Sequence, residues 1–281
     1  MRAILDLLLP TLCPACRHAE GPGLCAPCAA AIPRLDNPCP WCGTPLPSSI
    51  GDLPSGGNPP FPGPPSTSSA RGNPSPAFPS GHPAPAFPLK NHQKPCFRCR
   101  DNGYPHIQAV TVTAAYTGVI AHLVTAAKAG ARPAAVRALA ALVADPPSDW
   151  PTDAMITPIP PSPGRRPGPH LATALAAAIA KRSRRPFARL LRLTRHAAPQ
   201  HRLDGPARQA NVAGLFAAAR NPTPTAVILV DDLLTSGATI TAAAAALHAA
   251  GSSRIHALIL ARSPNRNDPP TLGAPWAGPA E

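Results

Sequence analysis

The stretch Val227-Ile228-Leu229-Val230-Asp231-Asp232-Leu233-Leu234-Thr235-Ser236-Gly237-Ala238-Thr239 decides the fold. Four apolar residues without alternation predict a strand buried on both faces of a parallel sheet, and open α/β folds bind ligands at the carboxyl ends of such strands. That places Asp231 and Asp232 at a ligand edge, where carboxylates accept hydrogen bonds from sugar hydroxyls. Beyond them, Thr235, Ser236, Gly237, Ala238 and Thr239 make a small, hydroxyl-rich turn. Its backbone N–H groups can face a phosphate, reinforced by the N-terminal dipole of a helix expected over 239–250. Gly237 keeps the approach free of a side chain. An apolar run ending in Asp also occurs in the second nucleotide motif of ATPases, but that motif needs an upstream Gly-x-x-x-x-Gly-Lys-Ser/Thr loop and the chain has no Gly-Lys pair. The stretch reads as a site for a phosphorylated sugar.

Outward from this strand the pattern stays α/β. Strands are expected over 107–115, 154–159, 186–193, 225–231 and 254–261, and helices over 117–129, 133–145, 170–182 and 239–250, the last closed by Gly251. Strand and helix alternate, which predicts a parallel, doubly wound sheet with helices on both faces. The predicted α/β domain runs from 104 to 263, with a flexible tail over 264–281.

All eight cysteines precede it, as four Cys-x-x-Cys pairs: Cys13/Cys16, Cys25/Cys28, Cys39/Cys42 and Cys96/Cys99. One such turn aims two sulfurs at one ion, and two turns complete a tetrahedral zinc site. The set therefore has capacity for one or two structural zinc ions, in a module formed by 1–46 and 96–103. A dithiol redox motif needs only one pair, and a disulfide framework suits a small secreted domain. Met1 to Leu12 reads as a short packing helix, and no apolar run has the length of a membrane span, so a cytoplasmic protein is expected. Each module is expected to carry its own stability.

Residues 47–95 hold 14 Pro, 8 Ser and 6 Gly with four charged residues. Such a composition buries too little apolar surface to offset its ordering entropy, so a disordered insertion is expected inside the cysteine module. The formal charge of +13 is concentrated: twelve Lys and Arg fall between 164 and 220, against Asp204 alone. An anionic partner, either nucleic acid or a polyphosphate, is one reading, and a solvated basic face is the other.

The ribose-phosphate stretch resembles the phosphoribosyl-pyrophosphate loop of type I phosphoribosyltransferases. With the cysteine pairs in front, the chain resembles the ComF (GntX) family, a double zinc ribbon joined to a phosphoribosyltransferase-like domain. Further matches are Tyr116-Thr117-Gly118 with Lys128, Thr157-Pro158-Ile159-Pro160, the run Arg195, Gln200, Leu203, Arg208, Asn211, Val212 and Phe216, and Leu258 to Arg262. The resemblance covers about residues 3–46 and 96–263 and implies a type I phosphoribosyltransferase-like fold. It implies that Asp231 and Asp232 grip ribose hydroxyls and that 235–239 hold the 5′-phosphate. Lys128, Arg165, Arg166 and Arg195 would then lie on the pyrophosphate side, with Mg²⁺ accompanying phosphoribosyl pyrophosphate. It also implies a link to competence, with single-stranded DNA or a DNA-uptake helicase as partners, and as the alternative a non-catalytic nucleotide-sensing module that uses its zinc ribbons for binding. One departure stands out. Where the family usually has Arg-Gly-Phe-Asn-Gln, this chain has Arg166-Pro167-Gly168-Pro169-His170, which removes two amide side chains and two backbone donors from the substrate's vicinity.

Overall fold

The computed structural model describes residues 12–18, 21, 23–35, 38–39, 43, 103–129, 133–161, 170–194 and 214–264. The expected helix over 1–12, apart from Leu12, the insertion over 47–95, and the tail beyond 264 lie outside the described residues, as do Cys42, Cys96, Cys99, Arg165, Arg166 and Arg195. In chain order the elements are α1 (Ala26–Ala30), β1 (Ile107–Ala115), α2 (Gly118–Lys128), α3 (Pro133–Leu142), β2 (Met155–Pro158), α4 (Leu171–Ser183), β3 (Leu191–Leu193), β4 (Phe216–Ala218), β5 (Ala226–Leu234), α5 (Ala238–Ala249) and β6 (Arg254–Arg262).

Four strands form one sheet in the order β1-β6-β5-β2, and every neighbouring pair is parallel. The apolar run of β5 explains its interior place, because each of its faces meets a different core. Ile228 and Val230 pack with Ile120, Leu123, Leu139, Leu175 and Ile179 from α2, α3 and α4. Val227 and Leu229 pack with Ile240, Ala243, Ala244 and Leu247 of α5. Two-sided burial of this kind is why the run lacks a polar alternation. Helices therefore cover both faces, as the alternation of elements predicts.

Three details differ from the sequence expectation. β5 continues three residues past Asp231, because Leu233 and Leu234 still pair with Ala261 and Arg262 of β6. The expected strand over 186–193 divides: Phe187 makes one parallel bridge to Ile156, whereas β3 turns away to pair antiparallel with β4. β4 itself is three residues long, too short for a periodic signal.

The cysteine segment does not stand apart from the α/β core. Cys13, Ala15 and Cys28 belong to the same buried cluster as Ile120, Leu123 and Leu139. The chain after α1 then adds to the sheet: Arg34 bridges Ala114 antiparallel, and the Ala115 N–H donates to the Pro33 carbonyl at 2.9 Å. β1 is an edge strand, so this segment occupies backbone groups that would otherwise be open. The independent stability expected of the two modules is thus replaced by a shared core.

Candidate functional site

Two sites emerge. In the first, ligand atoms of Cys13, Cys16, Cys25 and Cys28 all lie within 4.8 Å of one another. Cys25 is the N-cap of α1, which orients the second pair toward the first. The Sγ atoms of Cys16 and Cys25 are 3.7 Å apart, close to the ~3.8 Å edge of a tetrahedron with ~2.3 Å Zn–S bonds. The Cys25 N–H points at the Cys13 sulfur at 3.5 Å, a contact that supports a thiolate. Burial pushes the Cys13 thiol up, but the N–H groups of Cys25, Cys16 and Ala15 outweigh it and leave it at about 6. Cys28 is raised by burial and by its three neighbouring thiols. Four sulfurs this close repel once ionised, and a divalent cation relieves that repulsion. The first two pairs thus share one site able to hold zinc. Cys39 is buried, while Cys42, Cys96 and Cys99 lie outside the described residues.

The second site lies at the carboxyl end of β5. Asp231 and Asp232 lie within the last four residues of β5, where that strand has run past its β2 partner. Asp232 leaves on the side of Val230, where α2 packs, and its Oδ2 meets Lys128 Nζ, at the end of α2, at 2.9 Å. That buried oxygen makes no hydrogen bond of acceptable angle, so Lys128 meets it as a counter-charge rather than as an aligned donor. Asp231 Oδ1 accepts the Asp232 N–H at 2.8 Å. Burial, and next the charge of Asp232, push the Asp231 carboxyl up to about 8, although the Asp232 N–H and Lys128 pull the other way.

A carboxyl raised in the folded state binds its proton more tightly there than in the unfolded chain. Stability therefore falls as pH rises from the ordinary value of 3.8 to about 8. Asn keeps the oxygen that accepts the Asp232 N–H and removes the titration. Asp231→Asn is expected to raise the melting temperature by several degrees at pH 8.5 and to leave it nearly unchanged at pH 4, as measured by calorimetry across that range. A wild-type advantage at pH 8.5 would refute this.

The turn after β5 has the expected form. Thr235 and Ser236 are exposed, and Gly237 is left-handed at φ +81° as the N-cap of α5. The Ser236 hydroxyl accepts the Ala238 N–H at 3.4 Å. Sequence reasoning missed Tyr104, whose ring lies against this turn: a Cβ at Gly237 would stand 2.0 Å from Tyr104 Cε1. Tyr104 is three residues before β1 and far from the turn in the chain, so no local spacing could have revealed it.

Among the described residues the arginines of the basic region fall into two groups. Arg182 caps the end of α3, donating to the Ala140 carbonyl at 2.5 Å and the Val143 carbonyl at 2.8 Å while pairing with Asp145 at 2.9 Å. Arg185 donates to the carbonyls of Pro151 and Trp150. Both serve the fold, which commits their guanidinium groups to main-chain carbonyls and, for Arg182, to Asp145. Arg184, Arg189, Arg192 and Arg220 are exposed, and between the first two lies Phe187, 40% exposed.

Among the described residues no helix is long and apolar enough to cross a membrane. No curated protein matches the chain. Residues 4–56 match the family model of the double zinc ribbon domain, which spans the four-cysteine site and the Cys39/Cys42 pair.

Proposed function

We propose that the chain is a phosphoribosyltransferase-like protein of the ComF type that binds phosphoribosyl pyrophosphate or a nucleoside 5′-phosphate at the carboxyl end of β5. The observation that carries this reading is the conjunction at one strand end: two carboxylates, an exposed Thr235-Ser236 pair, and a left-handed Gly237 opening a twelve-residue helix. Carboxylates suit ribose hydroxyls, and the turn with its helix N-terminus suits a phosphate. In this reading the zinc-ribbon module spans 1–46 and 96–103, and 104–263 form the type I phosphoribosyltransferase-like domain. Mg²⁺ would accompany a bound pyrophosphate group and spread its charge, while the chain's own groups position the sugar.

A second reading, a nucleic-acid-binding module, draws on the exposed Phe187 between Arg184 and Arg189. An aromatic ring among arginines can stack a base while the cations meet phosphates. One titration separates the two. Calorimetry with phosphoribosyl pyrophosphate and with a nucleoside 5′-monophosphate, with and without Mg²⁺, should show binding, and Asp232→Asn should weaken it about tenfold or more without unfolding the chain. A folded wild type that binds neither ligand but holds single-stranded DNA, with affinity falling steeply in salt, would hand the function to the second reading.

A further inference from the structure

We propose that Lys128 is a positioning residue that fixes the Asp232 carboxylate for the ribose hydroxyls, rather than a ligand of pyrophosphate. This rests on the ribose-phosphate reading of the β5 edge and assigns the basic residue of that edge a different task from the one the family resemblance implies.

The geometry carries it. Lys128 Nζ lies 2.9 Å from Asp232 Oδ2, and the two side chains are 31% and 10% exposed. A lysine reaching for a polyanion in solvent would leave its ammonium in the open, whereas this one is spent on a largely buried carboxylate. Lys128 also ends α2, where the helix dipole favours a cation, so its charge is held from behind as well as in front. With Oδ2 facing the ammonium, Oδ1 is the Asp232 oxygen left for a sugar hydroxyl. The Asp232 charge would repel an incoming phosphorylated sugar, and Lys128 offsets it before the ligand arrives. The sheet and α2 thus present a pre-set acceptor, which lowers the ordering cost on binding.

Paired ligands test the assignment. Ribose 5-phosphate carries the sugar and the 5′-phosphate without pyrophosphate, and phosphoribosyl pyrophosphate carries all three. Lys128→Met is expected to weaken both by the same factor, about tenfold, and Lys128→Arg to restore most of the loss. A variant that keeps ribose 5-phosphate affinity within twofold while losing phosphoribosyl pyrophosphate would overturn the proposal and return Lys128 to the pyrophosphate side. A ligand-free measurement keeps the tether separable from the ribose reading. The charges acting on Asp231 include Asp232 and Lys128, so carbon-13 titration of the aspartate carboxyls should show the highest-titrating one rise further in Lys128→Met. An unmoved titration refutes the tether. A shifted titration in a chain that binds neither sugar supports the tether and overturns only the ribose reading.

Discussion

Removing zinc from the Cys13, Cys16, Cys25 and Cys28 cluster is expected to collapse the α/β domain along with the cysteine segment. Structural zinc contributes about 10 kcal/mol or more to folding, which rivals the ~5–15 kcal/mol total stability of an ordinary domain. Separate cores would confine that loss to the ribbon. Here Cys13 and Cys28 sit in the cluster that contains Ile120, Leu123 and Leu139, and the segment after α1 bridges β1. Thermal unfolding followed by circular dichroism, with zinc release followed by a chromogenic chelator, should give one coincident transition. Chelation or Cys13→Ser should lower it by tens of degrees or abolish it. A chelated protein whose α/β transition stays where it was would show that the shared core contributes little.

Gly237→Val is expected to eliminate binding of phosphorylated sugars. The left-handed backbone at φ +81° disfavours any side chain, at roughly 1–2 kcal/mol, and a Cβ would stand 2.0 Å from Tyr104 Cε1. Either the turn or the ring must move, and both flank the N–H groups that would face a phosphate. Calorimetry should find no measurable heat with phosphoribosyl pyrophosphate, while circular dichroism shows a folded chain with a modestly lowered melting temperature. Wild-type affinity in the variant would remove the turn from the phosphate site. Tyr104→Ala supplies the control, because it clears the space at Gly237 without straining the backbone.

The legible part of this fold is the part written in local pattern. β5 announces itself because burial on two faces demands an unbroken apolar run, and α5 because a glycine turn precedes an alanine-rich stretch that Gly251 follows. The first cysteine site was legible as chemistry from the repeated spacing, but not as a pairing, which depends on α1 turning Cys25 and Cys28 back toward Cys13 and Cys16. What stayed hidden is what distant segments do to each other. Nothing in the sequence near Arg182 says that it caps α3, because the carbonyls it reaches belong to Ala140 and Val143. Charge density marks the region as basic without saying which of its cations the fold itself ties down. Lys128 was singled out by resemblance, yet its proximity to Asp232 follows only once α2 folds back along the sheet.

The sheet order carries a consequence for biosynthesis. β6 is the last of the described strands to leave the ribosome, yet it lies between β1 and β5. Until it emerges, Ile107 to Ala115 has no parallel neighbour, and the apolar side chains of β5 lack one of their two flanking strands. The chain must hold its first half ready while the second is made, the kind of long-range pairing that folds slowly and leaves unpaired strands open to association. Pro33 and Arg34, synthesised first, already cover one stretch of the β1 edge. That bridge lies on the outer edge of β1 and persists in the finished sheet, so at this stretch the waiting strand has one edge to be filled rather than two until β6 arrives.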